Sequence, residues 1–316
     1  MQSLPYPKRP FNIHSMKRDL VSFALWTPEE LLEIFRLTRE LQADVQRDRQ
    51  PLARKTATLI FERASLRTRV SFEVGIAQLG GHPVFLQQES VGMATRESVH
   101  DIGSMVSLYT DLIIARTIRH QTCVQLAESA TVPVINALTD LLHPCQVLAD
   151  VYTLMTLDRF SPSVKIVFLG DGNNIANSWL EYSTKFPLHL AFSCPTGYEP
   201  HPRILEDAQA AGVSHIEFIG DPLLAVRDAD IVYTDVWPQA SSGVDEGRRL
   251  TIFKPYQVNR ALLKHARPDC LVMHRLPANR GEEITGEILD GPQSIIVPQA
   301  RNRLFVQNGI MAALLK

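Results

Sequence analysis

Short apolar runs alternate along this chain with stretches whose apolar residues recur every third or fourth position, the pattern of strands alternating with helices. Leu20 to Arg47 carries helical periodicity. Thr27-Pro28-Glu29-Glu30 inside it has the form of a helix start: a capping threonine, a proline at the first position and acids in the first turn. A strand is predicted over 57–61, then a helix over 69–79 with the apolar residues Val70, Phe72, Val74 and Ala77 at helical spacing. Further strands are predicted near 83–86, over 112–115 ending at Arg116, and over 132–136, with a helix at about 98–109. After a helix at about 144–156 the pattern restarts. Val164–Leu169 is a strand ending in Gly170-Asp171-Gly172-Asn173-Asn174, with a helix from about Ile175. Strands recur at 188–194, 215–218, 231–234 and 271–273, and 302–315 reads as a closing amphipathic helix.

Strands and helices alternating at these lengths predict an α/β fold of two domains, each a central parallel sheet flanked by helices. The expected division is 1–146 for the first domain and 147–301 for the second, followed by the closing helix at about 302–316. The less regular stretch 238–249 reads as a mobile loop. A length of 316 residues suits two domains. The 45% apolar and 21% charged fractions are those of a water-soluble protein, and a formal net charge of −2 gives no reason to expect nucleic acid or an anionic membrane as partner. No apolar run is long enough to span a bilayer, and the first ten residues lack the apolar core of a signal peptide. Cys123, Cys145, Cys194 and Cys270 fit no zinc spacing and read as free thiols in a reducing cytoplasm.

Ligands of open parallel sheets bind at the carboxyl ends of strands. Polar clusters fall at such ends here: Ser65–Arg69, Arg116, Gly170–Asn174 and Asp235. His143-Pro144-Cys145-Gln146 starts the helix between the halves, and His274-Arg275-Leu276-Pro277 follows the last strand. The first cluster is the most informative. Ser65, Leu66, Arg67 and Thr68 sit where a strand becomes a helix, so free N–H groups, the positive end of the helix dipole, hydroxyls and guanidiniums gather at one point. That suits a phosphate. Read alone, the segment has an alternative as a capped helix whose arginines pair with surface carboxylates. Gly170–Asn174 alone is a tight turn, and it fails the dinucleotide fingerprint because Ile175 stands at the third glycine position. His143 is either a satisfied core histidine or, with Gln146 one turn on, a donor and an amide aimed into the cleft; its place beside the phosphate turn favours the second. Asp235 is either a cap for the next turn or a ligand for an ammonium. Six clusters converging on one cleft favour a site over six coincidences.

Together these residues resemble the aspartate/ornithine carbamoyltransferase family, and its ornithine branch in particular, over nearly the whole chain and in the right order. Ser65-Leu66-Arg67-Thr68-Arg69 matches the family's Ser-Thr-Arg-Thr-Arg turn, and His143-Pro144-Cys145-Gln146 its His-Pro-x-Gln. Gly170–Asn174 matches Gly-Asp-Gly-Asn-Asn, and Thr234-Asp235-Val236-Trp237 matches Thr-Asp-x-Trp. His274–Pro277 matches His-Cys-Leu-Pro, and Asn302-Arg303 the terminal Asn-Arg. The resemblance implies a cytoplasmic homotrimer, or a multiple of trimers, moving a carbamoyl group from carbamoyl phosphate to an amine without metal or cofactor. By similarity, Ser65, the Leu66 backbone, Arg67, Thr68 and Arg303 would hold the phosphate. Thr68, Arg116 and His143 would polarise the carbamoyl oxygen, and Gln146 would orient the carbamoyl NH2. Asn174 would take the α-carboxylate of the amino acid and Asp235 its α-ammonium, with position 275 and Leu276 beside the attacking amine.

Four positions depart from the pattern. Leu66 replaces a threonine. Gly92 stands where the family usually has a Gln or His that reaches the neighbouring subunit. Gln239-Ala240-Ser241 replaces a Ser-Met-Gly loop, with Ser241-Ser242-Gly243 as a displaced counterpart. Arg275 replaces the cysteine beside the amine. A guanidinium about 4 Å from an ammonium repels it by roughly 4 kcal/mol at an effective dielectric of about 20. Arg275 therefore turns away to an acid such as Glu282, lowers the amine's pKa, or reads an anionic group on another substrate. The expected acceptor is ornithine. The alternatives are another amine, selected by Arg275 and the 238–249 loop, or a non-catalytic protein that holds an anion or metabolite.

Overall fold

The computed structural model describes residues 17–44, 46, 48–87, 97–238 and 246–316. Gly92 and the segment 239–245, which includes the Ser241-Ser242-Gly243 counterpart, lie outside them. Two parallel sheets, each flanked by helices, make up the fold, as the alternation of runs predicts. The first sheet contains β1 (Thr56–Phe61), β2 (His82–Gln87), β3 (Leu112–Arg116) and β4 (Val134–Leu138), in the order β2-β1-β3-β4. Its helices are α1 (Pro28–Ala43), α2 (Leu66–Gln78), α3 (Val99–Val106) and α4 (His120–Ser129). The helix α5 (Pro144–Thr156) leads to the second sheet, β5 (Lys165–Leu169), β6 (His189–Ser193), β7 (His215–Phe218), β8 (Ile231–Thr234) and β9 (Leu271–Met273), in the order β7-β6-β5-β8-β9. Around it lie α6 (Asn174–Ser183), α7 (Pro202–Ala211), α8 (Pro222–Ala225), α9 (Glu246–Phe253), α10 (Arg260–Leu263) and α11 (Gly286–Leu289). The last helix, α12 (Ile296–Leu314), runs back to pack on α1, α2 and α5.

Each sheet reverses its winding once. The chain leaves β1 to one side for β2 and to the other for β3; it leaves β5 to one side for β6 and to the other for β8. Such reversals open a crevice at the carboxyl ends of the two central strands. The polar clusters read from the sequence follow β1, β3, β5 and β8, the strands that frame those two crevices.

Three local readings need correction. Residues 20–26 are not helical: Leu20 bridges Ile135 beside β4, giving its N–H to the Val134 carbonyl at 2.9 Å and accepting from the Asn136 N–H at 2.9 Å. The helix starts at Pro28, where the Thr27-Pro28-Glu29-Glu30 pattern places it, with Thr27 and Glu30 forming a reciprocal capping box. The closing helix begins at Ile296, six residues earlier than predicted. Residues 246–249, read as loop, begin α9.

The return of α12 depends on a glycine. A β-carbon added at Gly309 would lie 2.1 Å from Thr38 Oγ1 and 2.8 Å from the Ile34 carbonyl oxygen of α1, and the backbone cannot yield there. Gly309→Ala is therefore expected to cost about 1–3 kcal/mol of stability by forcing the two helices apart. A thermal midpoint equal to the parent's would show that the α1–α12 contact tolerates a methyl group.

Candidate active site

The strand–turn–helix after β1 makes a helix end ready to receive an anion. Ser65 is the N-cap of α2, yet its side chain makes no capping bond. The N–H groups of Leu66, Arg67 and Thr68 have no partner within the helix, because a helix leaves its first N–H groups open. The Leu66 side chain points into solvent, so only its backbone faces this task. Thr68 is buried and its Oγ1 accepts from Arg303 Nη2 of α12 at 3.0 Å. This bond is how the returning helix reaches the turn. Arg69 behaves as the surface alternative foresaw: it pairs with Glu73 at 3.0 Å and stacks on Phe85. Arg67 makes no ion pair among the described residues.

Arg116 ends β3, where the pairing with β4 shifts register after Ala115. Such an irregularity re-aims a strand's last side chain. Burial first, and then the charges of Arg275, Arg303, Arg63 and Arg67, together lower Arg116 to about 10. Arg303, fully buried, is likewise at about 10, through burial first and then through Arg275 and Arg67. Arg67 is lowered by burial and by Arg275. These groups lower one another because they crowd one space without enough negative charge. Buried like charges are costly unless an anion joins them.

His143 caps α5, with its own N–H donated to Ser178 Oγ at 2.7 Å. Its ring is buried, and burial together with Arg303, Arg275 and Arg116 holds its pKa well below the usual value. The imidazole is thus neutral at physiological pH. Gln146, one turn on, donates from Nε2 to Asp150 Oδ1 at 2.8 Å. Its Oε1 has no partner among the described residues. Asp150 Oδ1 also accepts from Gln299 Nε2 at 2.7 Å, and Gln299 Oε1 takes the His274 N–H at 3.1 Å. The two amides and the carboxylate thus tie α5, α12 and the loop after β9 together. Asp150 was not singled out in the sequence. Its signal was there in the i, i+4 spacing from Gln146 on a helix buried on every side.

Burial pushes Asp150 up to about 7, against its two amide donors. A carboxyl raised in the folded state contributes stability that is complete below its unfolded value near 4 and lost as the pH rises through about 7. Asp150→Asn keeps an acceptor for both amides and removes the charge. The variant's thermal midpoint relative to the parent's is expected to rise between about pH 4 and pH 7 and then level off. A difference that is flat across that window would show that this carboxyl is not raised.

The turn after β5 is shaped by close backbone approach. A β-carbon at Gly172 would lie 2.2 Å from the Pro200 nitrogen, and Gly170, with φ +104°, would meet the Trp237 indole at 3.1 Å. Asn173 caps α6 and gives its Nδ2 hydrogen to Asp235 Oδ2 at 2.8 Å. Asn174, the residue singled out in the sequence, instead gives an amide hydrogen to the Thr139 carbonyl at 2.6 Å, joining the ends of the two sheets. Asp171, beside Asp235, is raised to about 7 by burial and by that neighbour's charge.

Arg275 does not turn away. Glu282 pairs instead with Arg249 at 3.1 Å. Arg275 Nε donates to Asp235 Oδ2 at 2.6 Å, with its side chain 17% exposed and that of Asp235 1%. Burial opposes the guanidinium's charge, but Asp235 outweighs it and leaves the pKa raised. The loop holding Arg275 is tightly determined. Leu276 adopts φ +59°, a left-handed conformation rare for leucine, and its N–H donates to His274 Nδ1 at 2.9 Å. His274 Nε2 faces Glu283 Oε1 at 3.0 Å.

A two-domain parallel α/β protein with a cationic phosphate-type cradle on one sheet, and a buried carboxylate held by an asparagine and an arginine on the other, is built as a group-transfer enzyme. Residues 18–156 match the model of the aspartate/ornithine carbamoyltransferase carbamoyl-P binding domain, and residues 163–314 that of the Asp/Orn binding domain. The chain belongs to the aspartate/ornithine carbamoyltransferase family. It is 42% identical to the ornithine carbamoyltransferase of Chlorobaculum tepidum over 306 residues, 95% of this chain and 90% of that protein. It is 44% identical to that of Syntrophus aciditrophicus over 302 residues, 95% of this chain and all of that protein. The structure of ornithine carbamoyltransferase from Pyrococcus furiosus superposes with a TM-score of 0.88 at 39% identity, covering 94% of this chain and 96% of that one. Among the described residues no helix is long and apolar enough to cross a membrane.

Proposed function

We propose that this protein transfers the carbamoyl group of carbamoyl phosphate to the side-chain amine of L-ornithine, giving L-citrulline and phosphate. The observation that carries this reading is the unneutralised cluster of Arg67, Arg116 and Arg303 around a neutral His143, at the open end of α2. The amine nitrogen attacks the carbamoyl carbon, the C–O bond to phosphate breaks, and the amine loses a proton. Ser65, Arg67, Thr68, Arg303 and the N–H groups at the start of α2, Leu66 included, would hold the leaving phosphate as its charge grows. Arg116, His143 and Thr68 would take the carbamoyl oxygen. Gln146, its amide oriented by Asp150, would accept from the carbamoyl NH2 through Oε1. Asp235 would receive the α-ammonium, with Asn174, Arg275 and Leu276 completing the amino-acid side.

The reading assigns carbamoyl phosphate to 1–146 with 302–316, and the amine to 147–301. It includes a cytoplasmic location and a homotrimer. Exposed Leu66, Val70 and Val74 form an apolar strip on α2, beside the turn, that suits a neighbouring copy.

One observation favours a second reading. Arg275 already competes for Asp235 through Oδ2 and leaves only Oδ1 open, so an α-ammonium bound as proposed lies beside a guanidinium. An amine that lacks a free α-ammonium, or that brings an anion to Arg275, has no such competitor. Ureido formation from carbamoyl phosphate, measured across ornithine, N-acylated ornithines, lysine, putrescine, aspartate and shorter diamino acids, tests both. Ornithine leading by a wide margin supports the first reading, and another amine leading supports the second. Product from none of them, with carbamoyl phosphate still bound, would leave only a binding protein.

A further inference from the structure

Far from the crevice, the starts of β6 and β7 bring three metal-ligating groups to one point. His189 and His215 are the first residues of their strands and stand opposite each other in the parallel ladder, with ring centroids 4.7 Å apart. Glu217 lies two residues beyond His215, so it shares that strand face. The face is the one turned away from Phe192 and Phe218, which stack on the other side. Glu217 Oε1 bonds His189 Nε2 and lies 3.2 Å from His215 Nε2. The candidate ligand atoms all lie within 4.8 Å of one another.

We propose that His189, His215 and Glu217 form a surface site for a divalent transition-metal ion, with Zn2+ as its natural probe. Two imidazole nitrogens and one carboxylate oxygen are a donor set that zinc takes with water in the fourth position. Tetrahedral ligands at about 2.0–2.2 Å from the ion sit roughly 3.3 Å from each other. The ligand atoms, within 4.8 Å of one another, would have to draw together on binding, and the His215 side chain is 67% exposed. The nearby cation is Lys165, in register with His189 on β5. Its Nζ is held by the Arg227 carbonyl at 3.0 Å, outside the donor set.

The consequence concerns stability rather than transfer. Among the described residues β7 is an edge strand, paired with β6 alone. An ion bridging the two would clip that edge and stabilise the folded state by mass action. The site lies at the amino ends of the strands. The crevice lies at their carboxyl ends, on the order of 15 Å away for five-residue strands.

The test is titration of the full-length, chelator-treated protein with ZnCl2 at pH 7.5, followed by calorimetry and by the thermal midpoint. One equivalent should bind with a dissociation constant of roughly 1–10 µM and raise the midpoint by several degrees. His215→Ala and, separately, Glu217→Gln should each weaken binding about tenfold or more and abolish the shift, with carbamoyl transfer unchanged. Co2+ as a second probe separates this site from thiol binding: d–d absorption without a thiolate charge-transfer band is expected. Absence of binding at ~100 µM Zn2+, binding that both variants retain unchanged, or a thiolate band would each overturn the proposal.

Discussion

Arg67→Ala is expected to lower kcat for carbamoyl transfer by about 10²–10³-fold, equivalent to roughly 3–4 kcal/mol of lost transition-state stabilisation. The magnitude follows from where the charge goes. As the C–O bond breaks, the leaving phosphate gains negative charge at the start of α2. Arg67 stands there, half-buried and without an ion pair among the described residues. Burial and the neighbouring Arg275 both lower its pKa, as expected where cations gather without matching negative charge. An interaction that strengthens as the anion develops acts on kcat more than on KM. Arg67→Lys separates charge from geometry: the ammonium keeps the field but loses the two-pronged hydrogen bonding, so its loss should be intermediate. Steady-state rates of citrulline or phosphate formation for the three proteins give the answer. Near-parental turnover for the alanine variant would remove the α2 turn from the proposed chemistry.

Much of this arrangement was legible in the sequence. The buried runs that became β1, β3, β5 and β8 each end in an abrupt polar residue or cluster. In a parallel sheet that is sufficient to bring those residues to one edge. The return of the last helix was legible only through the family resemblance, which gives Arg303 a place at the phosphate turn; in the structure Arg303 reaches Thr68 there. The residues at 20–26 were misread for a physical reason. Their apolar spacing fits a helix, but the β4 edge beside them offers the open groups that Leu20 satisfies. Asn173 and Asn174 could not be told apart by pattern, since which amide reaches Asp235 depends on the backbone entering α6. The direction of Arg275 was equally hidden. It is set by the left-handed Leu276 and by the fixed imidazole of His274, and neither has a local sequence signal.

That direction makes Arg275→Cys the sharper test of which amine this protein uses. In the parent, Arg275 and Asn173 both donate to Asp235 Oδ2, so an α-ammonium at this buried carboxylate has only Oδ1, unpartnered among the described residues, and a guanidinium beside it. Removing the guanidinium frees that carboxylate and removes a repulsion of up to roughly 4 kcal/mol against a substrate ammonium about 4 Å away. If ornithine is the acceptor, kcat/KM for ornithine should rise, with an upper bound of about 10³-fold for that energy. The same substitution leaves Asp235 buried without its cation, which costs on the order of 3–5 kcal/mol when one partner of such a pair is lost. The variant should therefore be less stable when empty, and ornithine should restore more of its thermal midpoint than it adds to the parent's. The two readouts must move together, because one displaced charge causes both. An increase in turnover without the added ligand-induced stabilisation would mean that the thiol acts on the attacking amine rather than by freeing Asp235. A fall in turnover with the amine that leads the panel would identify Arg275 as the group that reads that amine, and ornithine would no longer be the acceptor.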